Sequence, residues 1–193
     1  MSVPTQDDKE HAKQTLAYIR QTMESSTTFT AVSGWGLVSV GVLGLAAPWL
    51  ATRMGEPAAL TVWLPTAVLS VLLSMVFNAR KAKKLDVPLW SGSLRKVAWV
   101  MAPALVAGAM LTWALWLEHT RTLMPGVWLS LYGAGVTAGG TFSVRAIRWM
   151  GMLDLALGAA VLMMPERATL LLALGFGALH VACGLDVVER HGG

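Results

Sequence analysis

The chain is poor in the groups that most soluble proteins use. It has one cysteine, Cys183, which excludes an internal disulfide and any cysteine-rich metal site. Only 13% of its 193 residues are charged, about half the share usual for a soluble domain. Acidic residues are few, 11 against 15 Lys and Arg. Long polar stretches are missing outside residues 1–30 and 79–96, which leaves no room for an extracellular domain. Paired carboxylates, a Ser/His/Asp order and a phosphate-binding loop are also missing, so no enzyme is expected.

What remains is apolar. Hydrophobic residues make up 55% of the chain and gather in six runs, near 31–51, 59–78, 97–117, 124–142, 148–164 and 169–187. Each is close to the roughly 20 residues that a helix needs to cross a bilayer. The expected fold is an all-α polytopic membrane bundle of six transmembrane helices, preceded by an amphipathic cytoplasmic helix. Residues 1–30 form that interfacial helix, 31–188 the membrane domain and 189–193 a cytoplasmic tail. The N-terminus is polar and partly acidic, and no cleavable signal peptide is expected.

Charge sets the orientation. Of the 15 Lys and Arg residues, only Arg53, Arg121 and Arg167 fall in the turns on one side of such a bundle. Short loops rich in Lys and Arg stay cytoplasmic, so both termini are expected inside. The tryptophans agree. Trp35, Trp99 and Trp149 lie near inner ends, and Trp49, Trp63, Trp113, Trp116 and Trp128 near outer ends, as aromatic belts require. The high pI of 9.6 therefore reads as attraction to anionic lipid rather than nucleic acid. The linker 80–96 concentrates this charge, with Arg80, Lys81, Lys83, Lys84, Arg95 and Lys96 as headgroup contacts around an interfacial Trp90.

Thr5 and Asp8 form a capping pattern, and Ala12, Leu16, Ile19 and Met23 then share one helical face. This helix either lies on the membrane or bundle base, or docks a cytoplasmic partner. Pro65 and Pro103 are expected to bend the second and third spans. The fourth span is glycine-rich, with Gly135 and Gly139 in a GxxxG pattern, and should sit mid-bundle.

Chemistry is most plausible in the last hairpin. Asp154 and His180 lie at similar distances from its turn, roughly 18–20 Å at a helical rise of ~1.5 Å per residue. Gly151 and Gly158 share a stripe with Asp154, and Ala173, Gly177 and Gly184 share one with His180. Small residues let helices approach, so an Asp154–His180 hydrogen bond is expected, the alternative being no direct contact. It would act as a polar clip, or as a coupled titrating pair for a proton relay, acid sensor or ligand. A second candidate is Thr66, Ser70, Ser74 and Asn78, one row on the second span. That row could wet a pathway or hydrogen-bond between helices, with Ala104, Gly108 and Thr112 of the third span opposite. Asp186, Glu189 and Arg190 read as a surface cluster. No cofactor is expected; His11, His119 and His191 lie too far from the depth of His180 to share a haem.

Four segments carry a resemblance: FTAVSGWG (29–36), LMPGVWLSLYGAG (123–135), GGTFSVR (139–145) and GFGALHVACG (175–184). The chain resembles a family of small bacterial six-helix membrane proteins to which no activity is attached. That resemblance implies a bacterial inner membrane location and a six-helix topology, and transfers no catalytic residues. His180 lies in one of the four segments, and Asp154 does not. The glycine–proline hairpins are loosely similar to acid-stress membrane proteins of the HdeD type. The functional expectation is a membrane protein that handles protons or a small ligand, or else an accessory subunit that binds other membrane chains or a cytoplasmic regulator.

Overall fold

The computed structural model describes residues 10, 11, 13–16, 18, 32–55, 60–90 and 92–191. Every regular element among them is helical: α1 Gly34–Met54, α2 Leu60–Lys84, α3 Gly92–Leu117, α4 Met124–Gly139 and α5 Arg145–Met163. A final rod follows, made of α6 Ala168–Leu172, a π-helical segment Ala173–Leu179 and α7 His180–His191. The described residues before Val32 are helical and exposed. Thr5, Asp8, Ala12, Ile19 and Met23 lie outside the described residues.

Among the described residues, five helices are long and apolar enough to cross a membrane: α1, α2, α3, α5 and the rod Pro165–Arg190. The chain thus has the build of a multi-pass helical membrane protein. The run at 124–142 differs, because its α-helix stops at 16 residues and continues at each end as a 3-10 turn, Arg121–Leu123 and Gly140–Phe142. The 80–96 linker also differs from expectation. Arg80–Lys84 extend α2 and Arg95 and Lys96 lie inside α3, so the bend shrinks to the residues around Leu85–Trp90. Lys and Arg are good helix formers, and at a helix C-terminus they also complement its dipole.

Pro48, Pro65 and Pro103 all sit inside helices that continue past them. Membrane helices tolerate this because neighbouring groups re-satisfy the freed carbonyl. α1 begins at Ser33, whose hydroxyl accepts from the Gly36 amide at 3.3 Å. It ends at Gly55, whose φ of +68° favours glycine.

α1 packs between α2 and the final rod, and α4 packs between α3 and α5. α5 meets the rod and joins the two halves. The close approaches are not where the stripe argument put them. Gly151 and Gly158 of α5 lie against Thr137 and Ser130 of α4, and Gly133 of α4 lies against Gly151 and Leu155. Gly177 and Gly184 of the rod lie against Leu45, Gly34 and Val38 of α1. Each half of the last hairpin therefore uses its glycines on an earlier helix rather than on its own partner. The cause is a matching row of small residues on α1 and on α4, which allows closer backbone contact than the hairpin itself offers.

The small row of α3 likewise faces α4, not α2. Gly108 lies under the Trp128 ring, Ala104 meets Gly135, and the Trp128 indole donates to the Thr112 hydroxyl at 2.7 Å. Thr112→Val should remove that bond and lower stability by about 0.6 kcal/mol, the average for such bonds in membranes, read as a small fall in melting temperature in detergent. α2 and α3 are the flanks. Only 6% of the apolar window of each is buried, against 39% for α1 and for the rod, and Leu64, Val68, Met110 and Trp113 stand exposed on them.

Candidate functional site

The rod supplies the centre of the site. Its π-helical turn carries Gly175 and Phe176 and ends at His180. π-turns are rare, occur mostly as single insertions in α-helices, and are frequent at functional positions. Here the turn is bounded by close contacts. Gly44 of α1 presses on the backbone at Phe176 and Gly177, and a Cβ on Gly175 would meet Leu129 and the Asp154 carboxyl at 2.7 and 2.9 Å.

His180 is 1% exposed and both its ring nitrogens are engaged. Nδ1 lies 3.0 Å from the Gly175 carbonyl, and Nε2 lies 2.7 Å from the Tyr132 hydroxyl of α4. A carbonyl only accepts, so Nδ1 carries a proton. In the neutral ring Nε2 is then the acceptor and the Tyr132 hydroxyl donates to it. Phe176 sets its ring edge-on to Tyr132 at 5.2 Å between centroids, with Trp63 of α2 at 6.3 Å on Phe176. Three helices, α2, α4 and the rod itself, thus contribute one aromatic cluster beside the imidazole.

Asp154 is fully buried on α5, and neither carboxyl oxygen has a hydrogen-bond partner among the described residues. The expected Asp154–His180 hydrogen bond is therefore replaced. Both imidazole nitrogens are taken by Tyr132 and Gly175, and α5 turns its small stripe towards α4. Asp154 and His180 still converge on one residue, Gly175, whose carbonyl binds His180 and whose missing side chain leaves space for the carboxyl. An ionisable residue inside a membrane helix is costly, and a buried polar group without a partner costs about 1–3 kcal/mol. Asp154 carries that cost and contributes no bond to the fold.

The other candidates separate. Asn78 accepts from the Ser33 amide at 2.7 Å and so secures the start of α1. The Thr66 hydroxyl donates to the Val62 carbonyl within its own helix at 2.7 Å. Ser70 and Ser74 are half-buried on the same face. This row serves helix contacts at one end, and its bonds to Ser33 and Val62 do not reach Asp154 or His180. Lys81 departs from the headgroup set, since it is 4% exposed and donates to the Val32 carbonyl at 3.0 Å. Arg80, Lys83, Lys84 and Arg95 are exposed and Lys96 is half-buried. Cys183, one turn past His180, is a buried free thiol packed beside Val187. Among the described residues no three His, Cys, Asp or Glu side chains converge to hold a metal.

Sequence reasoning missed Tyr132, Gly175, Phe176 and Trp63. A usable signal existed for three of them. Tyr132, Gly175 and Phe176 lie in the segments LMPGVWLSLYGAG and GFGALHVACG, beside the His180 that was singled out. No known protein family, curated protein or solved structure matches this chain. The resemblance to small six-helix membrane proteins consequently rests on its four segments alone. Tyr132→Phe is expected to remove one hydrogen bond to His180, lowering stability by about 1 kcal/mol without loss of helix content by circular dichroism.

Proposed function

We propose that the protein is a six-span membrane protein whose Asp154, Tyr132 and His180 take up and release a proton, or bind a small polar ligand, inside the bilayer. In this reading α4 is the sixth crossing, because with its two 3-10 turns it extends from Arg121 to Phe142, close to the ~20 residues that a crossing needs. Both termini face the cytoplasm of a bacterial inner membrane, following the distribution of Lys and Arg. The exposed cations Arg80, Lys83, Lys84 and Arg95 rest on anionic lipid.

The observation that carries the reading is the Asp154 carboxyl, sealed from solvent and without a hydrogen-bond partner among the described residues. A structural clip would have a partner. A group that exchanges a proton or meets a transient ligand has none in the resting state. Beside it the Tyr132 hydroxyl donates to His180 Nε2, the ring nitrogen free to take up a proton, while Nδ1 stays on the Gly175 carbonyl. The site opens only when the helices move, and the π-turn is the element that can shift by one residue to do so.

Proton flux into liposomes loaded with a pH-sensitive dye tests this. Wild-type protein should exceed empty vesicles, and Asp154→Ala should fall to the empty level. Flux at the empty level for wild type, together with no ligand-dependent thermal shift, removes the reading.

A second reading follows from α2 and α3, whose apolar faces are almost wholly unburied within the chain. The protein would then be an accessory subunit that covers those faces with other membrane chains or a regulator. Purification in mild detergent separates the two, because a lone monodisperse monomer is expected for the first and a co-purifying chain for the second.

A further inference from the structure

At the end of the bundle that carries Arg80–Lys84, a groove of about 580 Å³ opens between the α4–α5 turn and the last turns of α7. Arg145 and Arg148 line it from α5 and Arg190 from α7, with Asp186 as its one carboxylate. Asp186 accepts from Arg190 Nε at 2.6 Å. Arg145 and Arg148 have no ion pair among the described residues, and both belong to the same lining as Arg190. The groove is built rather than incidental. Gly140, in the turn, lies against the backbone of Arg148, where a Cβ would stand 2.7 Å from its Cα and amide nitrogen. That contact holds the turn close to the start of α5, and both residues line the groove. Trp149, about half exposed, gives the groove an apolar wall.

We propose that this groove is a discrete binding site for one phosphate-bearing anion, held by Arg145, Arg148 and Arg190. Arginine presents a planar fork that matches phosphate oxygens two at a time, and the groove uses three arginines and no lysine. The volume lies in the range of small-ligand sites, which is about 300–1,000 Å³. The anion comes either from a lipid headgroup, with its chains along Trp149, or from a soluble phosphate compound. The site is separate from the Asp154 cluster and does not depend on the role given to that cluster.

The test titrates the purified full-length chain with phosphatidylglycerol, with phosphatidylcholine and with inorganic phosphate, counting bound molecules by native mass spectrometry. One saturable phosphatidylglycerol without inorganic phosphate binding identifies the lipid source; saturable inorganic phosphate identifies the soluble one. Arg145→Gln with Arg148→Gln should weaken whichever binds by about 100-fold, ~10-fold for each charge-assisted contact. Asp186→Asn removes the one opposing charge and should tighten binding severalfold. This exposed position keeps the test alive if the double variant does not fold. Arg53→Gln with Arg167→Gln, exposed at the other end of the bundle, should change nothing. Absence of saturable binding overturns the proposal. So does an equal loss in the Arg53/Arg167 variant, or an Asp186→Asn protein that binds no tighter.

Discussion

Asp154→Ala is expected to stabilise the protein while His180→Ala destabilises it. The Asp154 carboxyl has no hydrogen bond to lose among the described residues, and removing an unsatisfied buried group should return about 1–3 kcal/mol, less a small cavity term. His180 is different. Its removal leaves the Tyr132 hydroxyl and the Gly175 carbonyl without their partner and empties a fully buried site. The expected loss is about 2–4 kcal/mol. Thermal or denaturant unfolding in one detergent reads both. Opposite signs support an Asp154 kept for function. Equal losses would mean that the carboxyl holds helices together and would falsify its proposed role. Combined with the flux measurement, the Asp154 variant should be the more stable and the less active protein.

The second large effect is steric. Gly44→Val and Gly133→Val should each destabilise by about 3 kcal/mol or more, at the upper end of over-packing costs, with much of the protein failing to reach a folded monodisperse state. Gly44 has the Gly177 amide 2.9 Å from where its Cβ would be, and Gly133 has the Gly151 carbonyl at 2.8 Å and the backbone of Asp154 at 2.9 Å. These neighbours are backbone on adjacent helices and cannot rotate away. The first substitution displaces the π-turn and the second displaces Asp154, so surviving protein should also lose activity. Gly92→Ala is the control. Nothing lies within 4 Å of its Cβ position at the start of α3, and replacing glycine by alanine in a helix gains up to about 1 kcal/mol. Melting temperatures of the three variants against wild type decide the matter.

The gross architecture was legible because it depends on local composition. Runs of roughly 20 apolar residues need only hydropathy to be found, and the helices at 34–54, 60–84, 92–117, 145–163 and 165–190 overlap five of the six runs. Ends were less legible. α2 extends past the apolar run through Arg80–Lys84, since cations that flank a span are themselves good helix formers. The partners of each helix were the least legible. A stripe such as Gly151, Asp154 and Gly158 shows that a face is small without showing which neighbour covers it. Four other glycine-bearing helices, α1, α3, α4 and the rod, could have matched it, and α4 did. The row Ala104, Gly108 and Thr112 failed in the same way, finding Trp128 and Gly135 instead of α2.

Asp154 and His180 were found from the sequence because ionisable groups inside apolar helices are rare and conspicuous. Their hydrogen bonding was not, since it requires knowing that the rod contains a π-turn. One residue's difference in the hydrogen-bond ladder rotates everything beyond it by about 100° (one residue in ~3.6 per turn). No periodicity argument written for a regular α-helix can anticipate that rotation.

By itself, the order of apolar and charged residues determined that this chain makes long helices suited to a bilayer, and which two ionisable residues lie deepest in the last hairpin. That much follows from the transfer of side chains between water and lipid, which each segment undergoes independently of the others. Only the tertiary structure decided that Asp154 is left unbonded, that Tyr132 and Gly175 hold His180, and that three arginines far apart in sequence line one groove. Those outcomes depend on which backbones approach most closely, and that is settled by the fit of whole helix surfaces against one another.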